Sequence, residues 1–209
     1  MSSTQMKDTL IATALSLGIL VPLLYFGKQI VAATYFPGYD WMSQSASELG
    51  TEASRWPAIF NVGSIANGVI ALCASVGLLF GLRRVGTSTV WCWLTALSVA
   101  SLGWAALRGG LYPMPDPRHN PGPLGIGMFL IAPLYTIALW KLRDAQLLKA
   151  YFIANMFIFA VLFAVRAGIA GISLQGYEGA FQRVFAMVVF VPIGVGAYAV
   201  LRRMSRGVE

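Results

Sequence analysis

Histidine occurs once in these 209 residues, at position 119, and cysteine twice, at positions 73 and 92. A lone histidine without paired cysteines argues against a zinc centre, which needs a set of Cys, His or carboxylate ligands at close spacing. Iron and haem are left without an evident ligand set as well. The chain carries no GxSxG elbow, no HExxH pair, no Gly-rich phosphate loop and no calcium loop. No metal and no cofactor are therefore expected. Cys73 and Cys92 belong to no CxxC pair, so free thiols are expected rather than a disulfide framework. Charge is scarce too: 8 acidic residues stand against 15 Lys and Arg, and charged residues make up 11% of the chain.

Apolar residues are plentiful, at 57% with a mean hydropathy of +0.70. Six apolar runs have the length of about 20 residues that a helix needs to cross a bilayer, at roughly 9–34, 57–81, 89–112, 123–141, 148–172 and 179–201. They use up most of the chain. The expectation is one all-α integral membrane domain over 1–209, a polytopic bundle of six transmembrane helices. The first run follows Lys7 as a signal peptide would, but it is too long for one, and five more spans follow.

The excess of positive charge has a pattern. Lys7, Arg83, Arg84, Lys141, Arg143, Lys149, Arg202, Arg203 and Arg206 fall at alternate ends of the spans, offset there only by Asp8, Asp144 and Glu209. The opposite ends carry Asp40, Glu48, Glu52, Asp116 and Glu178. The positive-inside rule then places both termini in the cytoplasm of a multi-pass plasma-membrane protein. The net charge of +7 reads as a topology signal, and no nucleic-acid partner is expected.

Two outer loops stand out. The stretch Ser43-Gln44-Ser45-Ala46-Ser47-Glu48-Leu49-Gly50 contains S-x-x-E, a capping box that opens a helix. Gly50 comes too soon for a long one, so a single short turn is expected. That turn is read as a plain interfacial cap or as one that folds back into the mouth of the bundle and sets Glu48 against the arginines, and the two are compatible. The loop from Tyr112 to Pro123 holds five of the ten prolines, which exclude regular helix, and carries His119 between Arg118 and Asn120.

Charges inside spans are costly, and each of Lys28, Arg108, Arg166 and Arg183 lies in the outer half or at the outer end of its helix. Trp104, Arg108 and Tyr112 share one helix face by their spacing, as do Asn155, Phe159, Leu162 and Arg166. Asn61, Ser64, Gly68 and Ser75 form a small polar stripe suited to close packing or to a cavity lining. Lys28 is expected to snorkel to the headgroups. Arg108 and Arg166 are open to structural ion pairs or to a ligand. Glu178 suits the positive end of the last helix. Because arginines at one depth repel, Glu48 is expected within ion-pair or one-water reach of Arg108 or Arg166, with His119 on the same rim.

These residues carry a resemblance. Ser45-x-Ser47-Glu48-Leu49-Gly50 after Tyr35-Phe36-Pro37, Asn61 and Gly68 on the next helix, and "YP…D…HN" after the third resemble a family of prokaryotic six-helix membrane proteins catalogued as domain of unknown function 998. The resemblance extends over nearly the whole chain and implies that Glu48, Arg108, Asp116 and His119 act as a group. It implies no reaction. The resulting expectation is an outward-facing polar cavity that binds a membrane lipid or another amphipathic molecule. Ser45, Ser47, Asn61, Arg108, Asp116, Arg166 and Arg183 would contact the ligand, with Glu48 and His119 as candidate acid and base. A membrane enzyme using acid/base chemistry on a lipid or isoprenoid is the alternative, and no oligomeric state is implied. A transporter fits less well, since the inner half of the spans is nearly free of polar residues.

Overall fold

The computed structural model describes residues 2–140 and 145–206, whose regular elements are all helices, with no strand among them. Lys141, Arg143, Asp144 and Glu209, used above to read the topology, lie outside the described residues. The helices are α1 Ser3–Ala33, α2 Pro57–Arg84, α3 Thr89–Leu111, α4 Ile131–Ala138, α5 Gln146–Arg166 and α6 Glu178–Arg206. Five of them, together with the segment Pro117–Ala138 that ends in α4, are long and apolar enough to cross a membrane. The chain is an integral, multi-pass membrane protein.

Local chemistry sets the ends. Ser2 caps α1 in a capping box with Gln5. Pro57 occupies the first turn of α2, where its missing N–H costs nothing. α5 stops at Arg166 instead of running to about 172, because Gly168 and Gly171 take left-handed backbone at φ 75° and 64°. Arg166 is thus the last residue of its helix rather than a charge within it.

The fourth crossing departs furthest from a plain span. Pro123–Leu130 is 3₁₀ helix, and only Ile131–Ala138 is α. Pro121 and Pro123 disrupt the entry, and Gly127 lets this backbone approach α3, since a Cβ there would lie 2.9 Å from Ser101 Cβ. The Ser101 hydroxyl donates to the Leu124 carbonyl and accepts from the Met128 N–H. A neighbouring side chain thereby satisfies irregular backbone at membrane depth.

α2 packs between α1 and α3, and glycines permit the close approach. Gly77 faces Ala14 and Leu15 of α1. Gly68 faces the Gly103 carbonyl and Leu107 of α3, and Gly110 faces Asn61 and Ile65 of α2. α6 lies antiparallel along α1, with Gly18 beside Ala197 and Gly194 beside Pro22. The main core holds Leu15, Leu78, Leu82, Leu102, Tyr135 and Ile193. Cys92 is buried, Cys73 is exposed, and both thiols are free.

The antiparallel packing gathers both described ends of the chain at one terminal pole. There Asp8 of α1 pairs with Arg84 of α2 at 2.7 Å. The opposite pole carries the turn Ala46–Gly50 and the proline-rich loop. A second, smaller core of Ala32, Ala46, Leu49 and Phe60 lies under it.

Lys28 does not snorkel. It is 7% exposed, its ammonium donates to the Ser64 hydroxyl, and it sits 4.3 Å from the centre of the Phe60 ring. Gly63 leaves the room that its stem occupies. A hydroxyl and two aromatic faces, those of Tyr25 and Phe60, take the place of water around the cation.

Candidate functional site

The Ala46–Gly50 turn is folded into the loop pole, with Ala46 and Leu49 at 2% and 0% exposure. It is also capped: the Ser45 N–H donates to Glu48 Oε1 at 2.7 Å. The cap and the fold into the loop pole thus occur together, but without the ion pair from Glu48 to an arginine that the second reading carried. The turn is fastened from every side. The Ala46 N–H donates to Gln182 Oε1 of α6 at 2.7 Å, and Asn61 Nδ2 of α2 donates to the Gly50 carbonyl at 2.9 Å. The Tyr39 hydroxyl donates to the Ser45 carbonyl at 2.9 Å. The Arg183 guanidinium of α6 donates to the carbonyls of Trp41 and Gln44 and to the Tyr39 oxygen. Burial raises the Tyr39 phenol above its ordinary pKa, an effect partly offset by Arg183, so it stays a neutral donor.

His119 closes the cluster from the proline-rich loop. Its Nδ1 lies 2.8 Å from the Tyr112 carbonyl and its Nε2 lies 3.0 Å from the Ser47 hydroxyl. A carbonyl oxygen only accepts, so Nδ1 is assigned the proton, and in the neutral imidazole Nε2 then presents a lone pair to Ser47. The ring packs beside Gly109 of α3, where a Cβ would lie 3.6 Å from Cε1, an ordinary contact. Both Ser47 and His119 are half-buried.

The expected ion pair between Glu48 and Arg108 or Arg166 is not formed. Among the described residues the ion pairs are Asp8–Arg84 and Asp116–Arg118. Glu48 is held by its own turn, through the Ser45 N–H and the Gln44 amide at 3.1 Å. The arginines find other acceptors. Arg183 uses backbone carbonyls. Arg108 Nε donates to the Arg118 carbonyl at 2.9 Å, and its guanidinium lies over Trp104 and Tyr112 at 5.7 and 5.6 Å. This bears out their shared helix face. Arg166 is exposed at the end of α5 and has no hydrogen-bond or ion-pair partner among the described residues. Carbonyl dipoles, ring faces and exposure thus do the work assigned above to carboxylates.

Asp116 pairs instead with its loop neighbour. Its carboxylate accepts from the Arg118 guanidinium at 2.7 Å and from the Arg118 N–H at 2.8 Å. Those bonds hold its pKa at about 2. A depressed carboxylate adds its stabilisation above its ordinary pKa and loses it as pH falls through the depressed value. The loop should therefore keep its shape down to about pH 4 and loosen only near pH 2. Carboxyl-carbon titration by NMR checks this; an Asp116 midpoint near 4 would contradict it.

Beside this rim an apolar groove of about 480 Å³ runs between α3 and the fourth crossing, lined among others by Leu97, Trp104, Leu124, Leu130 and Leu134. Trp104 forms its upper end and also lies under Arg108. Clefts of about 900, 460 and 580 Å³ open at the terminal pole, the largest lined by Asp8, Arg84 and Arg203. None of those three reaches the cluster. Among the described residues no three His, Cys, Asp or Glu side chains converge on a metal position.

Sequence reasoning placed Ser45, Ser47, Glu48, Asn61, Arg183 and His119 at one end, and the structure brings these six together through the bonds above. It leaves Arg166 out, sets Asp116 on the proline-rich loop and keeps Arg108 on the last turn of α3. Tyr39 and Gln182 were not singled out as fasteners. Their signal was available: Gln182 and Arg183 are adjacent polar residues opening an otherwise apolar helix.

A family model described as a protein of unknown function, DUF998, matches residues 19–199. No curated protein matches the chain, and no solved structure does.

Proposed function

The chain belongs to that family of unknown function, and from this starting point we propose that its loop pole faces the outside of the cell membrane and binds an anionic phospholipid. The positive charge gathered at the terminal pole supports this orientation, with both termini cytoplasmic. Trp41, Trp56, Trp104 and Tyr35, all exposed, lie at the loop pole, where amphipathic rings mark the headgroup level.

One observation carries the choice of ligand. The apolar groove between α3 and the fourth crossing ends at Trp104, directly under Arg108. Among the described residues Arg108 spends only its Nε on a protein acceptor, and its Nη groups have none. An acyl chain in the groove would place a phosphate at those Nη groups, where an arginine fork binds it through paired hydrogen bonds. Ser47 and His119 stand along the same rim.

Native mass spectrometry of protein released from mixed vesicles tests the reading. Phosphatidylglycerol should be retained in preference to phosphatidylcholine. Arg108→Gln should weaken that preference about tenfold or more, the loss expected for a hydrogen bond to a charged group. Equal retention of both lipids by the unaltered protein would contradict it.

A further inference from the structure

The turn is fastened independently of the contact between Ser47 and His119. Leu49 and Ala46 already bury the turn, and Gln182, Asn61, Tyr39 and Arg183 already fasten it. The contact nonetheless joins residues 72 positions apart, from two loops, with the imidazole tautomer set by a third group. A hydroxyl facing the free lone pair of an imidazole whose other nitrogen is anchored is the arrangement of an activated nucleophile. We propose that Ser47 is a nucleophile and His119 its general base, acting on the ester carbonyl of a glycerolipid in the outer leaflet. This substrate class rests on the phospholipid reading above.

The proton has a carrier at each step. Nε2 of His119 takes the proton as Ser47 Oγ bonds to the ester carbonyl carbon. The tetrahedral adduct collapses, the bond to the glycerol oxygen breaks, and the imidazolium returns the proton to that oxygen. The products are an alcohol and an acyl ester on Ser47. Water then attacks that ester with the same base, releasing a fatty acid and restoring the hydroxyl. Nothing is oxidised or reduced. The Tyr112 carbonyl keeps Nδ1 protonated and the ring oriented throughout, a positioning role that a buried aspartate fills in the better-known triads.

Proximity to Arg108 selects the bond attacked. The His119 ring lies beside Gly109, the residue after Arg108 on α3. A lipid whose phosphate is held at Arg108 would bring the neighbouring glycerol esters to the pair. The half-burial of both side chains leaves Ser47 reachable from the rim while limiting competing water.

A fluorophosphonate probe applied to the full chain in nanodiscs reads the nucleophile directly, with the labelled peptide identified by mass. Ser47 should be labelled, and Ser43→Ala should leave its labelling unchanged. His119→Gln should slow labelling about a hundredfold or more, the usual contribution of a general base. No adduct at Ser47, or one indifferent to His119→Gln, would overturn the proposal. Should His119→Gln fail to fold, iodoacetamide decides: the cysteine of Ser47→Cys should be alkylated faster than that of Ser43→Cys, and equal or slower reaction would overturn it. Lipid retention separates this failure from that of the binding reading. Phosphatidylglycerol held by a Ser47 that never labels sinks the dyad alone. A labelled Ser47 in a chain with no lipid preference sinks the phospholipid site alone.

Discussion

Leu49→Ala should lower the stability of the chain in detergent by about 2–5 kcal/mol, the range for emptying a fully buried leucine site. Leu49 has no exposure and packs with Ala32, Ala46 and Phe60 in a small core of its own. The loss should also unseat the turn that carries Ser47, so the contact with His119 weakens with it. Val62→Ala is the matched control, because Val62 is 62% exposed on the side of α2. Thermal unfolding followed by circular dichroism should show a clear drop for the first and almost none for the second. Equal drops would mean that the turn is not anchored by Leu49.

Gly68→Val should do comparable damage at the seam between α2 and α3. A Cβ at Gly68 would lie 2.7 Å from the Gly103 carbonyl oxygen and 2.8 Å from the Leu107 nitrogen. Those are backbone atoms, so the helices must separate before any side chain fits. Overpacking typically costs about 1–3 kcal/mol, and obstacles of this kind place Gly68→Val at the upper end or beyond. Gly27→Ala makes the contrast, with open space at that position. Size-exclusion profiles after purification should show loss of monodisperse protein for Gly68→Val alone. A normal profile for it would contradict the packing described here.

These two sites also mark what a sequence reveals. The six crossings were legible because bilayer thickness imposes one length on every span, and the polar stripe of Asn61, Ser64 and Gly68 advertised a close contact. Helix ends were less legible. Gly168 and Gly171 stop α5 at Arg166, yet glycine is common within membrane helices, so their left-handed backbone could not be read off. The 3₁₀ entry of the fourth crossing depends on Ser101, more than 20 residues earlier in the chain.

The site was legible as a set of residues but not as a set of pairs. S-x-x-E correctly announced a capped turn, and its apolar Leu49 hinted at burial. Charge-counting then misled, because it pairs arginine only with carboxylates. Here Arg183 and Arg108 bind main-chain carbonyls, which have no signature in the sequence. The bond between His119 and Ser47 joins two loops with no shared periodicity, so only the fold could disclose it.

Cysteine accessibility in intact cells tests most directly whether this loop pole is an outward-facing lipid site. In a chain with Cys73 and Cys92 replaced by alanine, the account predicts that Ser47→Cys reacts with a membrane-impermeant maleimide from outside. Ser88→Cys, at the terminal pole before α3, should react only after permeabilisation. Reconstitution in phosphatidylglycerol should slow the Ser47→Cys reaction relative to phosphatidylcholine. Labelling of Ser88→Cys from outside, with Ser47→Cys silent until the membrane is opened, would contradict the account.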